Sequence, residues 1–301
     1  MQYWKLALGA SLCSVGVLVV ASCSGGGTQT LPPDDAADSG RKDGTTLDSP
    51  VVDTFAWPDC NSMPASAKVQ TLPQIWQDDP TKPVETWVSG VYVTAVSKGA
   101  CAAGQACSMY VQQDLTYASL AAASHHSLKV FVSAATSQYF TGIAVGDKVD
   151  LLAWAWRYNL DGQNELLLQV NLQLPGCFKK TGAGTALPVI AQLTDFTVNA
   201  YEQTLGPVLA QVDGVSGTPQ NADQTFGLYK TGMFNDGGIG SVTSLSPFFL
   251  AGGVFTTLTK GMKYNFTRVI GVFGLFVPPV EGGPATKYLE LYPRTSADIV
   301  P

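Results

Sequence analysis

Val145-Gly146-Asp147-Lys148-Val149-Asp150-Leu151-Leu152-Ala153-Trp154-Ala155-Trp156 is the stretch whose pattern decides the fold class. A Gly-Asp turn signal opens it, and the side chains then alternate. Val149, Leu151, Ala153 and Ala155 project to one face, and Asp150, Leu152, Trp154 and Trp156 to the other. A period of two is the signature of a β-strand. Apolar residues on both faces fit a small closed barrel whose outside is partly covered, better than a sheet with one solvated face.

Outward from this strand the chain repeats the theme. Strand-like runs are read at residues 72–76, 88–96, 108–113 and 128–132 before it, and a hairpin closed by residues 161–166 follows it. A second, weaker pass in the same order begins about 120 residues later. Its runs lie at 189–193, 210–217, 226–230, 247–250 and 260–273. Glycine and threonine thicken near residues 181–186, where a boundary is expected. The expected architecture is all-β, with two tandem five-stranded barrels over 51–180 and 187–301.

The strand signatures resemble a known family. Val88, Gly90, Val93 and Thr94, then Tyr110 and Gln112, then Gly146, Asp147 and Val149 match the pattern of OB-fold domains found beside bacterial secreted nucleases and in surface lipoproteins. The ending from Leu289 to Ile299 resembles the close of such domains, whereas Lys260-Gly261-Met262-Lys263 departs from the Gly-Asp-x-Val turn. The resemblance implies a ligand face on the second and third barrel strands, bordered by loops. It makes Tyr92, Tyr110, Gln112, Trp154 and Trp156 the candidate binding residues. Packing in a core or between domains competes with binding for the same rings.

At the other end, Lys5 precedes a short apolar segment, and Val20-Ala21-Ser22-Cys23 closes it. This resembles a bacterial lipoprotein signal, with small residues before the cut and a cysteine that takes the lipid. The implied signal peptide is 1–22 and the lipidation site is Cys23. Ser24 stands where an aspartate would retain such a protein at the inner membrane, so the resemblance implies the outer membrane of a Gram-negative bacterium. Residues 23–50 then carry almost no large apolar side chains and are read as a disordered, lipidated tether. A flexible chain of that length spans about 30 Å.

Four cysteines remain beyond Cys13 and Cys23. In an exported chain an even count reads as disulfides. Cys101 and Cys107 bracket a small-residue loop between two strand-like runs and are paired with each other. Cys60 and Cys177 then tie the start of the first domain to its end. A four-thiolate metal site competes poorly, because the close paired spacing of such sites is missing.

Composition limits the function classes. Of 301 residues only 13% are charged and 46% are apolar, with 31 glycines, a β-rich extracellular balance. A net charge of -6 opposes a phosphate backbone, so nucleic acid is not expected as a partner. The two histidines, His125 and His126, are adjacent in an Ala/Ser-rich stretch and offer no nucleophile elbow to work with. Asn221-Ala222-Asp223 and Asp236-Gly237-Gly238 lack a full calcium-loop pattern and read as surface turns. No enzyme activity, cofactor or metal is expected. Two classes remain, a binding module for a glycan, peptide or envelope protein and a structural envelope component docking through its β surfaces, with a single-stranded nucleic-acid binder ranked below both.

Overall fold

A short strand, β1 (Lys68–Val69), leads into helix α1 (Leu72–Asp78), so the run expected to be extended at 72–76 is helical instead. The reason is local. Thr71 Oγ accepts from the Gln74 N–H, and the Gln74 side chain accepts from the Thr71 N–H, a capping box that satisfies two donors at the helix start. Pro73 sits in the first turn, where no N–H is needed. Leu72, Ile75 and Trp76 fall on one helical face and are buried.

In this computed structural model residues 57–97, 100–159, 164–219, 229–231, 243–245, 262, 264–276 and 287–300 are described. The signal segment, Cys23, the tether, the surface turns expected at 221–223 and 236–238, and the runs at 247–250 and most of 226–230 lie outside them.

The first barrel consists of β2 (Val84–Val96), β3 (Cys107–Gln112), β4 (Ser127–Val132), β5 (Asp147–Tyr158) and β6 (Glu165–Val170). β2 pairs antiparallel with β3, β3 with β4, and β4 runs parallel to β6. β6 then pairs antiparallel with β5, and β5 returns to β2, which closes the ring. Numbered along the chain, these five strands close in the order 1-2-3-5-4-1, the OB-fold order. The fifth strand is Glu165–Val170, in place of the helical run at 72–76; of the hairpin expected at 161–166, residues 161–163 lie outside the described residues.

Closure depends on bending β2. Its register shifts between Val88 and Val91 and again between Val93 and Ala95, so its first half pairs with β5 and its second half with β3. Gly90, at a φ of 68°, makes the first bend, and its N–H donates to Asp150 Oδ1 at 2.8 Å. Inside, Val149, Leu151, Ala153 and Ala155 join Val91, Val93, Met109, Val130 and Leu168 in a fully buried core. The alternation read in the opening stretch is the alternation of the barrel wall.

The outside is partly covered. β7 (Cys177–Ala183) adds antiparallel to β5, and β1 adds parallel to β2. Cys60 is bonded to Cys177, and this disulfide packs with Trp87 and Leu152 in a small external cluster. Cys101 is bonded to Cys107 across its loop.

A second sheet follows. β8 (Val189–Ile190) is all that is extended in the run at 189–193, because Leu193–Asp195 form a 3-10 turn closed by Asp195 accepting from the Gln192 N–H at 2.8 Å. The sheet continues with β9 (Leu209–Pro219), β10 (Tyr229–Thr231), β11 (Thr243–Leu245), β12 (Tyr264–Phe276), β13 (Tyr288–Tyr292) and β14 (Ile299–Val300). β9 pairs antiparallel with β10 and β10 with β11; β11 runs parallel to β13; β13 and β9 both pair antiparallel with β12. β8 adds parallel to β9 and β14 antiparallel to β12. Each of these pairings has a counterpart in the first sheet.

Both sheets belong to one compact unit, residues 47–301. A π-helical turn, Tyr201–Leu205, lies against the first barrel, where the His125 N–H donates to Thr204 O at 2.7 Å and Ser127 Oγ to Leu205 O at 3.1 Å. Ala95 and Tyr110 pack with Ala186, Leu209, Val272 and Tyr292 alongside it. Gly206 ends the turn at a φ of 56°, and a Cβ there would stand 2.9 Å from both Ser127 O and the Trp76 ring. Only glycine meets both demands.

Candidate functional site: the outer face of the first barrel

The strand registers fix which outward side chains stand side by side. One row crosses the barrel wall as Glu85, Trp154, Gln169, Phe131 and Ser108, on β2, β5, β6, β4 and β3 in turn. The next row, two residues along each strand, is Trp156, Leu167, Lys129 and Tyr110. Beyond it come Tyr158 beside Glu165, and Ser127 beside Gln112. Because alternate residues face the same way on a strand, these rows tile one outer surface.

Burial changes from row to row. Every residue of the first row is partly exposed, whereas in the second Leu167 and Tyr110 are buried, and in the third Glu165, Ser127 and Gln112 are buried. The turn Tyr201–Leu205 meets Glu165 and Ser127, while Tyr110 packs against Leu209, Val272 and Tyr292 of the second sheet. Tyr201 donates its O–H to Glu165 Oε1, while Lys129 Nζ stands 3.0 Å from Glu165 Oε2. Burial, with the Glu165 carboxylate adding to it, pushes the Tyr201 hydroxyl well above its ordinary pKa. Tyr110 and Tyr292 are raised for the same leading reason, with Glu165 and Glu290 nearby.

The sequence-derived binding residues therefore separate. Tyr110 is 3% exposed and serves the contact between the sheets, and Gln112 is 1% exposed with its Nε2 donating to Asp114 O at 2.6 Å. Their position on the second barrel strand suits an OB ligand face, but here that part of the face is filled by the chain itself. Tyr92, on β2, stands opposite Gln112 at the end of the third row and is partly exposed, with Lys148 Nζ 5.2 Å from its ring centre. Trp154 and Trp156 are partly exposed as well, in the first and second rows.

Their rings are held in place. Trp154 Nε1 donates to Pro175 O at 2.9 Å and Trp156 Nε1 to Gln169 Oε1 at 2.8 Å, while Tyr158 meets Trp156 edge to face. The Gln169 oxygen is thereby committed, and its Nε2 has no protein partner among the described residues. Phe131 and Gln169 were not singled out from the sequence, though each stands on the outward phase of its strand, and Gln169 is the one polar residue in Leu166-Leu167-Leu168-Gln169-Val170. Glu165 and Tyr201 carried no sequence signal of their pairing, which spans 36 residues.

His125 lies at the contact with the turn, and His126 beside it turns to Ser124 and Tyr117. His125 Nε2 is 3.3 Å from Gln203 O, and its ring meets Trp76; His126 Nδ1 is 2.8 Å from Ser124 O. Among the described residues no group of three or more His, Cys, Asp or Glu is arranged to hold a metal ion.

No protein-family model matches the chain, and no curated protein matches it. Solved structures do. One from work on structural mimicry for functional antagonism is similar at 8% identity and a TM-score of 0.30, covering 72% of this chain and 95% of its own. A murine DNA-binding protein bound to double-stranded DNA is similar at 11% identity and a TM-score of 0.29, covering 71% and 92%. A replication protein A heterotrimer bound to single-stranded DNA follows at 11% and 0.28, covering 70% of this chain and 49% of that one.

Proposed function

We propose that this chain is a noncatalytic, membrane-anchored lipoprotein whose two OB-like domains display a ligand-binding surface, with the site on the outer face of the first. The observation that carries the reading is the partly exposed row containing Trp154, Gln169 and Phe131, left open beside rows that the second sheet covers. Rigid aromatic rings next to an uncommitted amide make a recognition surface, because stacking supplies contact area and the amide supplies direction. The pairing order of the second sheet supports its assignment as a second copy of the same domain. The Cys23 motif supports lipidation and display at the outer membrane.

Two measurements test this. Cys23→Ala should move the protein out of the membrane fraction, and continued membrane association of the variant removes the anchor. Full-length protein in detergent should bind at least one class of glycan, peptide or single-stranded DNA in a manner lost in Trp154→Ala. Binding that ignores Trp154 removes the site. A second reading, structural docking in the envelope, is favoured by the exposed edge strand β7, although Lys179 and Lys180 guard that edge against pairing.

A further inference from the structure

Resting on that reading of the outer face, we infer that its ligand is an uncharged glycan, stacked on Trp154 and Phe131 with Gln169 between them. The two rings stand on β5 and β4, with β6 between, so they are about 10 Å apart at the usual spacing of paired strands. That separation suits every second sugar ring along an extended chain, with the intervening sugar over Gln169. A pyranose presents apolar C–H faces and a rim of hydroxyls, which is the complement of aromatic faces flanking an amide donor. Glu85, next to Trp154 in the same row, adds a hydroxyl acceptor at the margin.

Charge argues against a nucleic acid on the same rings. A single-strand groove needs cations among its aromatics. Beside Trp154 and Phe131 the cation is Lys129, whose ammonium is already 3.0 Å from Glu165, with Glu85 adding negative charge on the other side, while Lys148 stands over Tyr92 at the end of the third row. Topology argues against a peptide added as a strand. At this level β5 is paired on both sides by β2 and β6, β6 by β5 and β4, and β4 by β6 and β3, so the wall offers no free backbone edge.

The indoles are also prepared for a soft, neutral ligand. Both N–H groups are used internally, by Pro175 O and Gln169 Oε1, so the polar edges of the rings are not offered to a ligand. Holding the rings in advance lowers the entropy lost on binding.

The test is a tryptophan-fluorescence titration of the detergent-solubilised full-length protein. The probes are maltohexaose, cellohexaose and xylohexaose, with oligo-dT and a mixed hexapeptide pool beside them. At least one neutral oligosaccharide should saturate, and its affinity should fall about tenfold, one stacking contact, in each of Trp154→Ala and Phe131→Ala. Trp154→Tyr should restore most of it, which a merely structural role would not produce. Saturation only by oligo-dT or the peptides, lost in Trp154→Ala, overturns the glycan inference and leaves the binding surface standing. Should no probe depend on Trp154 or Phe131, both fall. Binding of a neutral glycan that survives both alanine variants overturns the inference as well.

Discussion

Tyr201 of the second half donates its hydroxyl to Glu165 of the first barrel, and the carboxylate is held from its other oxygen by Lys129. This buried triad joins a turn of one sheet to the wall of the other. Its effect is to take the third row of the outer face out of solvent while the first row stays open.

Removing the donor should be costly. In Tyr201→Phe the ring still fills its space, but Glu165 loses a hydrogen bond in a buried site, which costs about 1–3 kcal/mol. Urea unfolding should report a lower midpoint with an unchanged slope. An unchanged midpoint means that the triad contributes no net stability.

Alkaline pH should open the same contact. Tyr110, Tyr201 and Tyr292 have folded pKa values raised well above 10.0, chiefly by burial. In the unfolded chain they titrate near that ordinary value. The folded state therefore keeps protons that the unfolded state releases, so stability is complete below about pH 10 and declines as pH rises above it. Tyr117, partly buried, is pushed up to about 12 and adds to the trend. Tyrosinate absorbance and circular dichroism should change together in one steep step; a gradual titration near pH 10 with the fold intact contradicts this account.

The two disulfides should differ in worth. Cys60 and Cys177 are 117 residues apart and Cys101 and Cys107 only 6. Loop-closure entropy then assigns about 5 kcal/mol to the first and about 2 kcal/mol to the second. Thermal melts of the two double-alanine variants should rank in that order, and the reverse ranking rules out loop closure as the main contribution.

Legibility in the sequence followed the range of each interaction. The strand Asp147–Tyr158 was readable because its alternation is local, and its inward residues are the buried core. The helix at Leu72–Asp78 was misread as extended because Leu-Pro-Gln-Ile-Trp shows apolar density without showing its period, while the deciding capping bond comes from Thr71 just outside the run. The disulfide partners could be read because Cys101 and Cys107 bracket a short loop between two strand-like runs, which leaves Cys60 for Cys177. The candidate rings were chosen by strand position alone, which cannot tell Tyr110 from Trp154: both project outward, and one meets the second sheet.

By itself, then, the sequence determined the strand Asp147–Tyr158 and its inward face, since periodicity depends on neighbours along the chain, and narrowed the four cysteines to three pairings, of which the short loop between Cys101 and Cys107 favoured one. Tertiary structure decided the closure order of the barrel and which part of its outside remains open. That choice rests on Tyr201–Leu205 folding back over residues 127 and 165, contacts whose energy comes from burial and hydrogen bonds between segments that no local pattern connects.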